Sequence, residues 1–343
     1  MSALGWTWLL CPVLALLLSL TVPWAVRPWL RRLAVMDMPS ERSSHSVPTL
    51  RGMGISILMA MALGLLLALL LPLPHPGHGV VLTILVVVLA ASCVGWIEDL
   101  RGLSVRTRAL CHLFIGAAGT VALAALTGGT GYWWAPAGAV AVAAYINVAN
   151  FMDGINGISG LHGVVVGLAY AAAGALSGTA WLVVIGLVLA AAFAGFLPWN
   201  LSRRPVFMGD VGSYLLGSTI AITAVAAFLS GVPVEYVFAP VLIYLADTFV
   251  TLMRRIAAGE RWYTSHRQHA YQRLVIVGLS HVQASLVVTV ASVLTSALGL
   301  LAGRLGGLMV FVSALGCLLV VLAYLRTPTI FQRFLARRRR LVL

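Results

Sequence analysis

Long apolar runs separated by short polar interruptions repeat along nearly the whole chain, and the runs are continuous rather than alternating. Eleven can be delimited, at roughly 5–25, 53–72, 80–97, 109–127, 135–150, 161–177, 181–198, 213–231, 237–253, 278–303 and 307–325. A helix crosses the hydrocarbon core with about 17 to 25 apolar residues. Only helices and closed barrels satisfy their backbone groups in lipid, and a barrel strand would alternate apolar with polar positions. The pattern therefore predicts an all-α, polytopic membrane bundle of about eleven transmembrane helices. The longest polar interruptions are about two dozen residues, too short for an independent core. Residues 1–343 accordingly form a single integral-membrane domain. The first run lacks a basic leader and a small-residue cleavage site, so it is expected to be retained as a helix.

Composition agrees, with 61% hydrophobic and 9% charged residues. Charge then adds direction. All 22 basic residues are Arg, and alternating topology places 21 of them on one side, leaving Arg304 on the other. The positive-inside rule makes the Arg-rich side cytoplasmic, with the N-terminus outside and the C-terminal tail, about 326–343, inside. The net charge of +13 is spread over membrane-adjacent loops, which excludes a nucleic-acid interface and fits attraction to anionic lipid. Cys11, Cys93, Cys111 and Cys317 lie singly within apolar runs and suit packing rather than a disulfide or a metal.

Nine acidic residues remain, and Glu98, Asp99, Asp153, Asp210 and Asp247 lie at or near the ends of apolar runs. A carboxylate beside hydrocarbon is costly, so such placement marks an ion or substrate site. The polar islands that hold the chemistry all fall on the cytoplasmic side. Arg42-Ser-Ser-His45 through Arg51-Gly52-Met-Gly54 brings hydroxyls, Arg and backbone N–H groups to a helix start, which suits a phosphate, although an ordinary capped turn has the same composition. Glu98-Asp99 pairs two carboxylates at a helix end. Such a pair serves metal binding or proton transfer, or is satisfied by Arg101 or Arg106.

Asn147, Asn150 and Asp153, spaced three apart, form one polar stripe if the helix continues through them, and amide and carboxylate oxygens suit Mg²⁺. Pro198-Trp-Asn200 through Phe207-Met-Gly-Asp210 places Asp210 where a helix dipole favours negative charge, with N-capping as the plainer explanation. The last island runs from Arg254 to Arg273 and includes His266, Arg267 and His269, donors suited to a polyphosphate. The two His three apart lack a third zinc ligand at a usual spacing.

Taken in order, the islands from about residue 40 to 275 resemble the polyprenyl-phosphate N-acetylhexosamine-1-phosphate transferases, the superfamily of MraY and WecA. The run Ser265-His-Arg-Gln-His-Ala-Tyr-Gln272 is similar to the last cytoplasmic loop of the WecA/WbpL-type bacterial branch. The resemblance implies transfer of a sugar-1-phosphate from a UDP-N-acetylhexosamine to undecaprenyl phosphate with release of UMP. It also implies a Mg²⁺ cofactor, which Mn²⁺ can replace, in a bacterial inner membrane, at the first membrane step of a surface-glycan pathway such as O-antigen synthesis. A homodimer is a further expectation. By resemblance Asp210 is the principal metal ligand with Asn150 beside it, and Asp99 deprotonates or positions the acceptor phosphate. Phe207 stacks on uracil, Asp153 and Asn200 fix the nucleotide, Asn147 belongs to the substrate-binding set, and His45, His266, Arg267 and His269 face the sugar and diphosphate. Glu98 stands where the family has Asp, so its role is open, and Asp247 matches no family role, with Arg254 as its expected partner. The rival readings are an ion-coupled transporter, whose site would lie near the midplane between repeats, and an inactive homologue.

Overall fold

A computed structural model describes residues 3–38, 47–260 and 267–340, with side chains through residue 335. His45 and His266 lie outside the described residues. The described residues form thirteen α-helices: α1 (Ala3–Arg32), α2 (Gly54–Leu70), α3 (Gly77–Arg101), α4 (Val105–Leu126), α5 (Ala135–Met152), α6 (Ile158–Ser177), α7 (Ala180–Asn200), α8 (Gly209–Leu229), α9 (Val234–Phe238), α10 (Leu242–Ala257), α11 (Ala270–Val277), α12 (His281–Leu305) and α13 (Leu308–Arg340). Among the described residues ten spans are long and apolar enough to cross a membrane, and the 17-residue α2 is a shorter eleventh. The expected runs thus each fall on a helix. The chain is an all-α, multi-pass membrane protein.

Two features depart from the uniform runs. The ninth run, expected as one continuous helix, is interrupted at Ala239–Val241, where Pro240 supplies no N–H to the ladder, so α9 and α10 are separate pieces of one span. The last island contains a helix of its own, α11, whose first turn is closed by Gln272 Oε1 accepting the His269 N–H at 3.3 Å. A two-residue antiparallel pairing, Met36 opposite Leu50 and Asp37 opposite Thr49, ties the start and end of the α1–α2 connection.

The centre of the bundle is α8, with 83% of its span buried, against 17% for the peripheral α13. It packs between α3 and α5, and α7 lies between α1 and α6. Close approach of α3 to α8 depends on Gly95, where a Cβ would collide with the Asp210 carbonyl. The α1–α2, α3–α4, α5–α6 and α7–α8 connections gather at one end, and main-chain bonds stitch them together. Phe207 N–H donates to the Leu50 carbonyl at 2.9 Å, Met53 N–H to that of Phe207 at 3.0 Å, and Gly54 N–H to that of Met208 at 2.8 Å. These bonds place the segment before α2 directly against the start of α8.

Candidate active site

The N-terminus of α8 presents unpaired amides, and Met208 at its N-cap offers no side-chain acceptor. Asp99, at the end of α3, supplies both acceptors: its Oδ1 receives Asp210 N–H at 2.9 Å and its Oδ2 receives Val211 N–H at 3.0 Å. The side chain of Asp99 is fully enclosed, whereas that of Asp210 is 14% exposed. Gly209 precedes them with φ +72°, a conformation that L side chains adopt rarely, and a Cβ there would press on the Asp99 carboxylate.

Arg51 lies across both acids. Its Nε is 2.6 Å from Asp99 Oδ1 and its Nη2 is 2.6 Å from Asp210 Oδ2. Burial opposes its charge, but Asp210, Asp99 and Asp37 more than offset that cost and raise its pKa, so the guanidinium stays protonated. Asn150, from the last turn of α5, donates Nδ2 to Asp210 Oδ1 at 2.6 Å and to Ser213 Oγ at 3.0 Å. Four separate connections thus meet at Asp210. Two carboxylates against one guanidinium leave the cluster one negative charge, which favours a further cation.

The expected stripe on α5 is divided. The helix ends at Met152, and Asn147 turns its amide back to the Ala143 carbonyl at 2.8 Å. Asp153 lies one residue past the end and accepts from Ser159 Oγ of α6 at 2.8 Å. Burial pushes the Asp153 carboxyl from the usual 3.8 up to about 7, against the pull of the Ser159 hydroxyl. A carboxyl raised in the fold holds a proton there that the unfolded chain has lost, so folding stability falls as pH rises from about 4 to about 7. Melting in detergent across that range should show this slope, and Asp153→Asn should flatten it. An unaltered slope in the variant would assign the pH dependence to another group.

Other candidates hold the loops in shape. Asn200 accepts Gly157 N–H at 2.6 Å and donates to the Val206 carbonyl at 2.9 Å, clamping the α5–α6 turn to the α7–α8 connection. Phe207 is half-buried beside Asp210, bonded through its backbone to Leu50 and Met53. Glu98 does not share the site of Asp99, because adjacent helical residues point about 100° apart. It accepts the Leu103 N–H and pairs with Arg108 at 3.0 Å, bracing the α3–α4 turn, so its partner is neither Arg101 nor Arg106.

In the last island, Arg267 is half-buried and its Nε has no hydrogen-bond partner among the described residues. His269 is buried with Nδ1 3.3 Å from Asp247 Oδ1. Asp247 is therefore not the partner of Arg254. Its carboxylate is taken up by His269, by Tyr324 Oη at 2.6 Å and by the Ala270 N–H at 2.9 Å. Sequence reasoning placed Arg51 in an anion-suited island without linking it to the carboxylates, took Tyr271 only as one member of the last island, and did not single out Tyr324. The only signal for Arg51 was its place before Gly52 and Gly54 at a helix start.

A multi-pass helical protein thus gathers a carboxylate, amide and guanidinium cluster at one end of its bundle. Residues 81–228 match the family described as glycosyl transferase family 4. The chain is 34% identical over 147 residues to the probable undecaprenyl-phosphate N-acetylglucosaminyl 1-phosphate transferase of Bacillus subtilis (strain 168), covering 41% of this chain and 40% of that relative. It is 33% identical over 165 residues to the decaprenyl-phosphate N-acetylglucosaminephosphotransferase of Mycolicibacterium smegmatis, covering 42% and 41%. It thus spans about two fifths of the length of these two relatives. With the undecaprenyl-phosphate alpha-N-acetylglucosaminyl 1-phosphate transferase of Yersinia pestis it shares 30% identity over 278 residues, 72% of this chain and 74% of the relative. The chain belongs to glycosyl transferase family 4, among the polyprenyl-phosphate N-acetylhexosamine-1-phosphate transferases.

Proposed function

We propose that the protein transfers an N-acetylhexosamine-1-phosphate from a UDP-sugar to undecaprenyl phosphate, releasing UMP, at the cytoplasmic face of a bacterial inner membrane. The observation that carries this reading is the Asp210 cluster, in which one partly exposed carboxylate at the start of a buried helix is surrounded by Asn150, Arg51 and the enclosed Asp99. The names of the relatives support the substrate class, and the arginine-rich loops at the same end support the cytoplasmic side.

A divalent cation fits the donor set. No group of three or more His, Cys, Asp or Glu that could hold a metal by itself occurs among the described residues. Mg²⁺, however, is commonly held by one or two carboxylates together with substrate phosphates and water. Asp210 supplies the carboxylate, and turning the Asn150 amide over presents its oxygen to the same point. Bound there, the ion would neutralise charge on the diphosphate.

In the reaction an ionised oxygen of the lipid phosphate attacks the phosphorus that carries the sugar. The bond from that phosphorus to the bridging oxygen breaks, and the oxygen leaves with UMP. The attacking phosphate is already deprotonated near neutral pH, so no strong general base is needed. Asp99, with both oxygens given to α8 amides, is a positioning residue that fixes the direction of Asp210. In this reading Arg267, whose Nε is unpaired among the described residues, offers a donor to the phosphates, and Phe207 and Asp153 contact the nucleotide. An apolar groove of about 370 Å³ between α5, α8 and α9–α10, walled by Gly138, Ala141 and Ala144 on one side and Val225 and Val241 on the other, lies toward the end of the bundle away from Asp210 and would take the distal part of the polyprenyl tail.

The test is a panel of UDP-N-acetylhexosamines, including 6-deoxy forms, given to purified full-length protein with undecaprenyl phosphate and Mg²⁺. UMP release together with a lipid-linked product is expected for at least one sugar. No turnover with any of them would sink the reading.

A further inference from the structure

Asp247 takes no part in the phosphoryl-transfer chemistry, yet its carboxylate is bonded by several donors. Its side chain is fully buried on α10. Tyr324 Oη of α13 donates to Oδ2 at 2.6 Å and Ala270 N–H of α11 to Oδ1 at 2.9 Å, with His269 Nδ1 and Thr251 Oγ1 each 3.3 Å from Oδ1. Tyr271 N–H adds a longer contact to Oδ2 at 3.4 Å. A carboxylate kept away from water needs such a set of donors, and here they come from three helices.

The first turn of α11 is also gripped from its other side. Tyr271 Oη donates to the Phe151 carbonyl at 3.0 Å, and a Cβ at Gly154 would overlap that hydroxyl. The His269–Tyr271 turn is thus wedged between Asp247 and the turn that carries Asp153. α13 packs against α10, α11 and α12, and the Tyr324 bond adds a polar hold from this helix on the site's last loop.

We propose that Asp247, clamped by Tyr324, is a positioning residue that latches the His269–Tyr271 turn against the α5–α6 turn and thereby sets the affinity for the diphosphate of the sugar nucleotide. This rests on the transferase reading above. Asp210, Asp99 and Arg51 sit on other elements, and Asn150 is held independently by Asp210 and Ser213, so loosening the latch changes how the donor is held more than it changes the reacting centre.

Tyr324→Phe removes one hydroxyl and keeps the ring, and is the milder probe; Asp247→Asn is the stronger. For full-length protein in detergent, Tyr324→Phe should raise KM for the UDP-sugar roughly tenfold, as expected for loss of a hydrogen bond to a charged group. Values of kcat and of KM for undecaprenyl phosphate should stay within about twofold. Combined with His269→Ala, it should add little beyond His269→Ala alone, because both act through one turn. A fall in kcat with unchanged donor KM, or full additivity, would overturn the latch. Hydrogen exchange at the Ala270 and Tyr271 amides is read without any substrate. Faster exchange in Tyr324→Phe is expected, and unchanged exchange overturns the proposal even if the wild-type protein turns over none of the sugars. Inactive wild-type protein with a loosened turn in the variant would instead count against the transferase reading alone.

Discussion

Asp210→Asn should lower Mg²⁺-dependent UMP release by about three orders of magnitude, the upper range for removing one essential electrostatic group. The substitution keeps the shape of the side chain and its contact with Asn150, so folding should survive. What it removes is the charge that Arg51 faces at 2.6 Å and that a divalent cation would require. Steady-state UMP release, with melting temperature as the control, decides the matter. Turnover at the wild-type rate would show that the cation, if present, is held elsewhere. A loss of melting temperature equal to that of an unfolded variant would point to a structural effect instead.

The second large effect is expected at Asp99. In Asp99→Asn one acceptor oxygen becomes an NH₂ group facing an α8 amide or Arg51, so a buried donor meets another donor. Leaving such a group unsatisfied costs about 1 to 3 kcal/mol, more where a charge is involved. The start of α8 should shift with it, and activity should fall by about a hundredfold, the order that a misplacement of about 1 Å produces. Glu98→Gln should be milder, since Leu103 N–H can still bond to the amide oxygen and only the pairing with Arg108 is weakened. The two variants assayed side by side test the division of labour. If Glu98→Gln were the more damaging, Asp99 would not be the residue that orients Asp210.

The helices were largely legible because continuous apolar runs of spanning length permit little else. The break at Pro240 was hidden inside one such run, where flanking residues stay apolar on both sides of the interruption. In the site, sparse acids at segment ends marked Asp210, Asp99 and Asp153 correctly as belonging to one end of the bundle. Their partners were not legible. Nothing in composition separates Arg51 from the other arginines, since what selects it is the pairing of Leu50 and Phe207, a contact across more than 150 residues. Adjacency misled in the case of Glu98 and Asp99, which look like a pair in sequence but point in different directions on a helix. The Asn147, Asn150 and Asp153 spacing assumed a helix that ends at Met152, one residue too early to carry Asp153 with it. Asp247 was misassigned for a similar reason: Arg254 is near in sequence, whereas Tyr324 lies 77 residues away and meets it only once α13 has packed.

The stitching of the α1–α2 connection to the start of α8 also bears on biosynthesis. Arg51 and Asp210 are 159 residues apart, and Asp99 bonds to amides 111 and 112 residues downstream. While the first seven helices are entering the bilayer, Arg51 and Asp99 have each other but neither Asp210 nor the α8 amides. Insertion of α8 completes the set in one step, so the nascent protein lacks the assembled Asp210 cluster until this deeply enclosed helix has found its place.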